Sequence, residues 1–383
     1  MIRRDWLRAL MATPPYTWLR PSFGQATISE PNAAVVYRKV FGWGGSLSEE
    51  DWDRLRKAAT INVDDRAIED LIRKARPILE AIREAATIEH CDWGIETVSP
   101  DDIGKGHLDP SNINVIRLAY LSSRRLARLG RGREALDDIF AGLKMAHRIG
   151  AGGVLIARIL ECGGEVPAFQ TLGRILPELD RATLDDISGR LEALPLPEPA
   201  SAVVGPESRF ILGSLRANLA TVGPKLVDKD WSEIGFDLET EKDKVATLKR
   251  LTGGDREKLL AHLDATGPAF AELARRLDLP RPGCRASLDE FARTERSTWP
   301  IVAGLVENVW GTRHMFDRMR ALRAMLQAGL VLIRDGEPAF RRERDPFGTG
   351  GFGLERGGTG YLIRSAMSDE GKPEVSLGIG KAG

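Results

Sequence analysis

Cysteine is scarce in this chain. Cys91, Cys162 and Cys284 stand far apart and form no Cys-x-x-Cys pair. That excludes a disulfide scaffold, leaves at least one thiol unpaired and favours a reducing compartment. Net charge is missing as well. Lys+Arg and Asp+Glu both number 55, so the formal charge is zero, which argues against a nucleic-acid footprint or strong attraction to an anionic membrane. Long apolar runs are absent. The best, Ile301–Val306 and Met325–Ile333, fall well short of the about 20 apolar residues that a span requires, so no transmembrane segment is expected. Residues 1–20 carry four arginines and two tryptophans but lack the continuous apolar core of a signal peptide. Ile2, Trp6 and Leu10 recur every four residues. They predict a short amphipathic helix, docked on the protein's own core or touching a membrane surface. A cytoplasmic location follows as the expectation.

Familiar catalytic signatures are lacking too. Gly348-Thr349-Gly350-Gly351-Phe352-Gly353 has no Lys-Ser/Thr after it, no apolar strand before it and no helix to open, so it reads as hairpin turns and not as a phosphate loop. There is no His-Glu-x-x-His and no calcium-loop register. No cofactor is implied.

Helical periodicity is abundant. The 383 residues, 42% hydrophobic and 29% charged, suit a folded chain of two or three domains. Ser46 and Glu49 have capping-box spacing. Asp64 or Asp65 caps a helix whose stripe is Ile68, Leu71, Ile72, Ala75, Leu79, Ile82 and Ala86, kinked at Pro77. Two strong helices, Ile113–Leu129 and Arg133–Ile149, flank the turn Gly130-Arg131-Gly132. Val154–Leu176 and Thr183–Leu194 follow, the first weakened by Gly163, Gly164 and Pro167. Pro195–Pro206 holds four prolines and reads as a linker or rigid crossing. Helices resume at Glu207–Thr221, Leu238–Leu251, Asp255–Leu263 and Pro268–Leu277. Pro280-Arg281-Pro282-Gly283 breaks the chain, and helix returns from Ser287 to Ile333, interrupted at Trp299-Pro300. The last 49 residues hold 12 of the 40 glycines and short β-prone pieces at Ala339–Arg341, Phe352–Glu355, Tyr361–Ser365 and Val375–Ile379. The expected fold is therefore mainly α, built of antiparallel helical hairpins, with a small C-terminal β-hairpin or three-stranded sheet. The expected divisions are 1–194, a linker 195–206, a second helical region 207–334 and a glycine-rich β tail 335–383.

The segment from Leu129 through Gly130-Arg131-Gly132 to Ala135-Leu136 resembles the turn of a tetratricopeptide repeat. No second copy lies at the expected offset, so it implies one antiparallel hairpin and not an array. Pro31-Asn32-Ala33-Ala34 with Tyr37, then His90-Cys91-Asp92-Trp93-Gly94, resemble an uncharacterised group of bacterial helical proteins. In that group an Asp-Pro-aromatic-Gly segment followed by Gly-Tyr and an apolar strand closes the chain. Asp345-Pro346-Phe347-Gly348 and Gly360-Tyr361-Leu362-Ile363 match it, and the same closing pattern is similar to the tail of type II secretion pseudopilins. A pseudopilin's long apolar N-terminal helix has no counterpart here.

The polar stretch Glu89–Asp109 is the candidate site. Glu89, His90, Asp92, Asp101, Asp102, His107 and Asp109 are residue types that bind divalent metals or move protons, although their spacing matches no known ligand pattern. Trp93 and Cys91 are expected to plug the core beneath that stretch. In Glu161-Cys162-Gly163-Gly164-Glu165 the acidic neighbours disfavour a thiolate, so Cys162 is expected to be a buried structural thiol. Arg341, Arg342 and Arg344 with Phe340 and Phe347 are interrupted by Glu343 and Asp345, and so read as a solvated edge. The leading functional expectation is a non-catalytic helical scaffold or interaction protein with a protein partner. The alternatives are a metal-dependent hydrolase using 89–109 and a peripheral envelope protein linked to secretion.

Overall fold

The computed structural model describes residues 31–43, 47–57, 61–94, 102–151, 153–195, 198–368 and 374–380. The expected N-terminal amphipathic helix lies outside them, as do Ser46 and Asp101. The described residues are 69% helical, about twice the share in an average globular protein.

Among the described residues the helices are α1 (Ala33–Trp43), α2 (Glu49–Arg56), α3 (Arg66–Lys74), α4 (Arg76–Thr87), α5 (Asn112–Arg128), α6 (Gly132–Gly150), α7 (Leu155–Ile175) and α8 (Arg181–Glu192). They continue with α9 (Val204–Leu219), α10 (Asp228–Glu233), α11 (Lys242–Thr252), α12 (Arg256–Asp264), α13 (Gly267–Leu277), α14 (Arg281–Glu295), α15 (Pro300–Ala303), α16 (Val306–Asp335) and α17 (Glu337–Phe340). Strands β1 (Gly353–Gly357), β2 (Gly360–Arg364) and β3 (Ser376–Ile379) form one antiparallel sheet in sequential order.

The α5–α6 hairpin forms where the apolar stripes predict it. Gly130 takes φ +72° at the turn, a conformation that costs glycine nothing. Leu136, Ile139, Leu143 and Ala146 are fully buried on the inner face of α6. Gly142 and Gly164 let helices come close. A Cβ on Gly142 would reach 2.8 Å from the Tyr120 ring, and one on Gly164 would reach 2.7 Å from the Ala146 Cβ. The 30-residue α16, about 45 Å long, ties the molecule together. Its C-terminal half (Leu322, Leu326, Leu330) joins the core of α1–α8, and its N-terminal half (Val306, Val309, Phe316) joins the core built by α13, α14 and α15. A third core gathers Leu215, Leu219, Trp231, Leu248 and Leu259.

The tail docks on this body. Ile363, Leu377 and Ile379 are buried on one face of the sheet. Glycines on two helices admit them: a Cβ on Gly329 would lie 2.5 Å from Ile379 Cδ1, and one on Gly173 would lie 2.5 Å from the Gly378 carbonyl oxygen. The Gly380 N–H donates to the Gly173 carbonyl at 2.9 Å.

Several local expectations are corrected. The capping box that opens α2 at Glu49 is formed by Ser48 and Asp51, two residues beyond the expected pair. Pro77 does not kink one long helix. It sits in the first turn of α4, where a missing N–H is harmless, and α3 ends separately at Lys74. Pro282 likewise opens α14 instead of breaking the chain. Ala339–Arg341 is not a strand, because Glu337–Phe340 forms a helical turn. The short helix α10 had no apolar stripe long enough to announce it.

Candidate functional site

The residues of the polar stretch 89–109 do not converge on one centre in the described structure. Glu89, His90 and Asp92 are exposed. The Asp92 carboxylate accepts the Gly94 N–H at 2.8 Å, and the Asp109 carboxylate accepts the Ser111 N–H at 2.8 Å. Both are local turn bonds. His107 is buried and stacks on Trp93 with ring centroids 4.5 Å apart. Burial, with the Arg38 charge, pushes its pKa down to about 4 against the weaker pull of Asp102. The stretch is wired to the core by Arg148, which donates to the carbonyls of Ala85 (2.7 Å) and Ile88, while Trp93 Nε1 donates to the Arg148 carbonyl at 2.8 Å. Trp93 is buried and Cys91 half-buried.

Among the described residues, one group of His, Cys, Asp or Glu has its ligand atoms close enough to share an ion, and it lies elsewhere: His147, Glu161 and Glu165. His147 occupies the last turn of α6. Glu161 and Glu165 stand one turn apart on the facing side of α7. Nδ1 of His147 lies 2.9 Å from Glu161 Oε1, and Nε2 lies 2.9 Å from Glu165 Oε1. The first contact has hydrogen-bond geometry; the second is close but misaligned, leaving Nε2 without a well-formed hydrogen bond. Burial works against a charged imidazole here, but the close contacts and charges of the two glutamates outweigh it and raise its pKa to about 9. Arg158 Nη1 donates to Glu161 Oε2 at 2.8 Å, and the same guanidinium reaches Glu198. The group borders a cavity of about 260 Å³ that Phe169, Leu194, Met319 and Arg323 help to line. Neither the histidine nor the glutamates stood out in sequence, although Glu161 and Glu165 flank the Cys162 motif. Cys162 itself is buried, as expected, and burial raises its thiol pKa.

A broad concavity of about 940 Å³ opens between α14, α16 and the tail. One face of α16 supplies Trp310, Arg313 and Arg320, and the first turns of α14 supply Arg281 and Arg285. Two guanidinium groups lie over Trp310, with Arg281 Cζ 5.5 Å and Arg285 Cζ 5.8 Å from its ring centroid. Arg320 sits 5.7 Å over Phe347. Beneath them Asp317, with its side chain 2% exposed, pairs with Arg281 at 2.6 Å and Arg313 at 2.9 Å and lies 3.8 Å from Arg320. The floor carboxylate is thus spent on several cations, and the groove surface stays basic. Arg285 also pairs outward with Glu307 and Asp289.

The far wall is the Asp345-Pro346-Phe347-Gly348 segment. Asp345 is buried. Its carboxylate accepts the Phe347 N–H at 2.9 Å, the Ser365 hydroxyl at 2.9 Å and the Ala366 N–H, tying residues 346–349 to 365–367. The aspartate-proline turn noted in sequence therefore sets one side of the groove. Of the basic-aromatic cluster expected at 340–347, Phe347 faces this groove, whereas Phe340 is buried and Arg341 pairs outward with Glu337 at 2.6 Å.

No family model matches this chain, and no curated protein or solved structure is significantly similar to it. Chemically, the described groove lining holds no carboxylate, imidazole or thiol, and its hydroxyls are those of Thr349 and Ser368. It offers guanidinium groups and flat aromatic faces, the donors suited to binding carboxylates and the chain that carries them.

Proposed function

We propose that this chain is a non-catalytic helical interaction protein, and that the groove between α14, α16 and the tail binds an acidic segment of a partner protein. One observation carries the reading: four arginines and Trp310 border a single open groove, and Asp317, the counter-ion of Arg281 and Arg313, is buried below it. Guanidinium groups held over an indole are pre-oriented, so less side-chain freedom is lost when they meet a carboxylate. Trp and Arg are also the residue types that dominate protein-interface energetics. A neutral overall charge with a basic groove gives selectivity for a local acidic motif over bulk polyanions.

The test is fluorescence anisotropy of a labelled ten-residue Glu/Asp peptide containing one aromatic residue. Saturable binding that weakens with salt is expected, with roughly tenfold lower affinity on Arg320→Ala, the loss of one charge-assisted contact. Arg73→Ala, on an exposed helix face far from the groove, should change nothing. If the peptide does not bind, if a single-stranded oligonucleotide of equal charge binds as well, or if Arg320→Ala and Arg285→Ala leave affinity intact, the reading is wrong.

A further inference from the structure

The groove leaves unexplained the ionisable cluster on the other side of α16. We propose that His147, Glu161 and Glu165 form a site for one divalent first-row transition cation, of the Zn²⁺ or Mn²⁺ kind, opening on the 260 Å³ cavity. This inference is independent of peptide binding in the groove.

The donor set is the first argument. One imidazole and two carboxylates are the ligand types that zinc and manganese share, and once the cation has displaced the imidazole proton to solvent their −2 charge matches it. An imidazole ligand also disfavours calcium and magnesium, which prefer oxygen cages. Geometry is the second. The three donor atoms lie within 4.8 Å of one another and come from two helices fixed by close packing. Ligands about 2.1 Å from a common ion must sit about 3.5 Å apart, so modest side-chain shifts close the shell. That approach depends on Gly150: a Cβ there would fall 2.1 Å from Glu161 Oε2. The third argument is the misaligned Nε2 of His147, a buried polar atom whose nearest partner is 2.9 Å away at a poor angle. Buried polar atoms without well-formed bonds are uncommon, and an ion is among the usual reasons.

The surroundings fit as well. Arg158 holds the outer oxygen of Glu161 at 2.8 Å, the kind of second contact that fixes the orientation of a ligating carboxylate. Arg323, across the cavity, is anchored to the carbonyls of Leu191, Leu194 (3.3 Å) and Pro195 (2.9 Å). With three protein ligands, the remaining coordination positions face the cavity.

Titration calorimetry of the full chain with Zn²⁺ and, separately, Mn²⁺ tests this. One cation per chain is expected, accompanied by a rise in melting temperature. His147→Gln and Glu165→Gln should each lower affinity at least about 100-fold, since even loss of an outer-shell partner costs 10–100-fold. Absence of stoichiometric binding overturns the proposal, as does binding that survives both substitutions in folded protein. If the variants do not fold, Co²⁺ added to the unmodified chain keeps the question open to decision. Visible d–d bands without a thiolate charge-transfer band are expected. A thiolate band would place the ion on a cysteine and overturn the site.

Discussion

Replacing Gly173 with alanine separates two opposed effects of the same methyl group. In an exposed helix interior, Gly→Ala stabilises by up to about 1 kcal/mol through helix propensity and a less floppy unfolded chain. At Gly173 the new Cβ would sit 2.5 Å from the backbone oxygen of Gly378 in β3. Optimal contact of a carbon lies near 3.5 Å, so helix and strand must part by about 1 Å. The strand cannot yield alone, because the Gly380 N–H is bonded back to the Gly173 carbonyl at 2.9 Å and Leu377 and Ile379 are buried beside it. Overpacking of this kind costs roughly 1–3 kcal/mol, which outweighs the propensity gain. The natural control is Gly189→Ala in α8 or Gly213→Ala in α9, where an added Cβ meets nothing within 4 Å. Urea unfolding followed by circular dichroism should move the midpoint down for Gly173→Ala and slightly up for the controls. A midpoint that rises for all three would refute the docking of β3 on α7.

Two further outcomes are expected. Leu136→Ala, a truncation at full burial between α5 and α6, should cost about 2–5 kcal/mol in the same assay, and a change no larger than a surface substitution would mean that the hairpin does not pack as described. His107 should make stability depend on pH. Its folded pKa is about 4 against an ordinary 6.5, so the unfolded state binds the extra proton, and stability present above pH 6.5 is lost as pH falls toward 4. The loss is at most about 3 kcal/mol, and His107→Gln should flatten that part of the profile; an unchanged slope would remove His107 as its cause.

Much of the fold was legible because burial is periodic. The α5–α6 pair and α7 end within a residue or two of the expected positions, since apolar stripes and the glycine turn specify them locally. The tail meets the helix around Leu326–Ile333 at Gly329 through Ile379 and Ile363, and the alternation along the β-prone segment Tyr361–Ser365 allows Ile363 to face it. What misled was local ambiguity settled at a distance. Ser46/Glu49 and Ser48/Asp51 offer capping boxes two residues apart, and the second is also bound by Lys74, 23 residues away, at 2.7 Å. Proline raised the same difficulty: Pro77 and Pro282 read as breaks, yet each opens a helix, because the first turn needs no N–H from it.

The site was less legible because polarity draws attention to loops, where solvation alone explains it. The informative acids are those inside helices. Glu161, Glu165 and Asp317 are spaced so that their helix faces also carry Ala157, Ala168 and Ala321, which are buried. An acid on such a face is expensive: its desolvation cancels most of the attraction to a partner, and well-packed apolar side chains of similar volume often serve stability equally well. Stability alone therefore gives little reason for three buried carboxylates with His147, Arg158, Arg281 and Arg313 gathered around them. The reason must lie in what those groups hold in place. For Asp317 that is a set of arginines aimed at the groove beside Trp310. For Glu161 and Glu165 it is an imidazole at the edge of a cavity. If neither peptide nor cation binds, the same clusters become a pure stability cost. Replacing Asp317, Arg281 and Arg313 together by leucine or methionine should then leave the chain at least as stable as it is, whereas Asp317→Leu alone, which strands buried guanidinium groups, should destabilise it by about 3–5 kcal/mol.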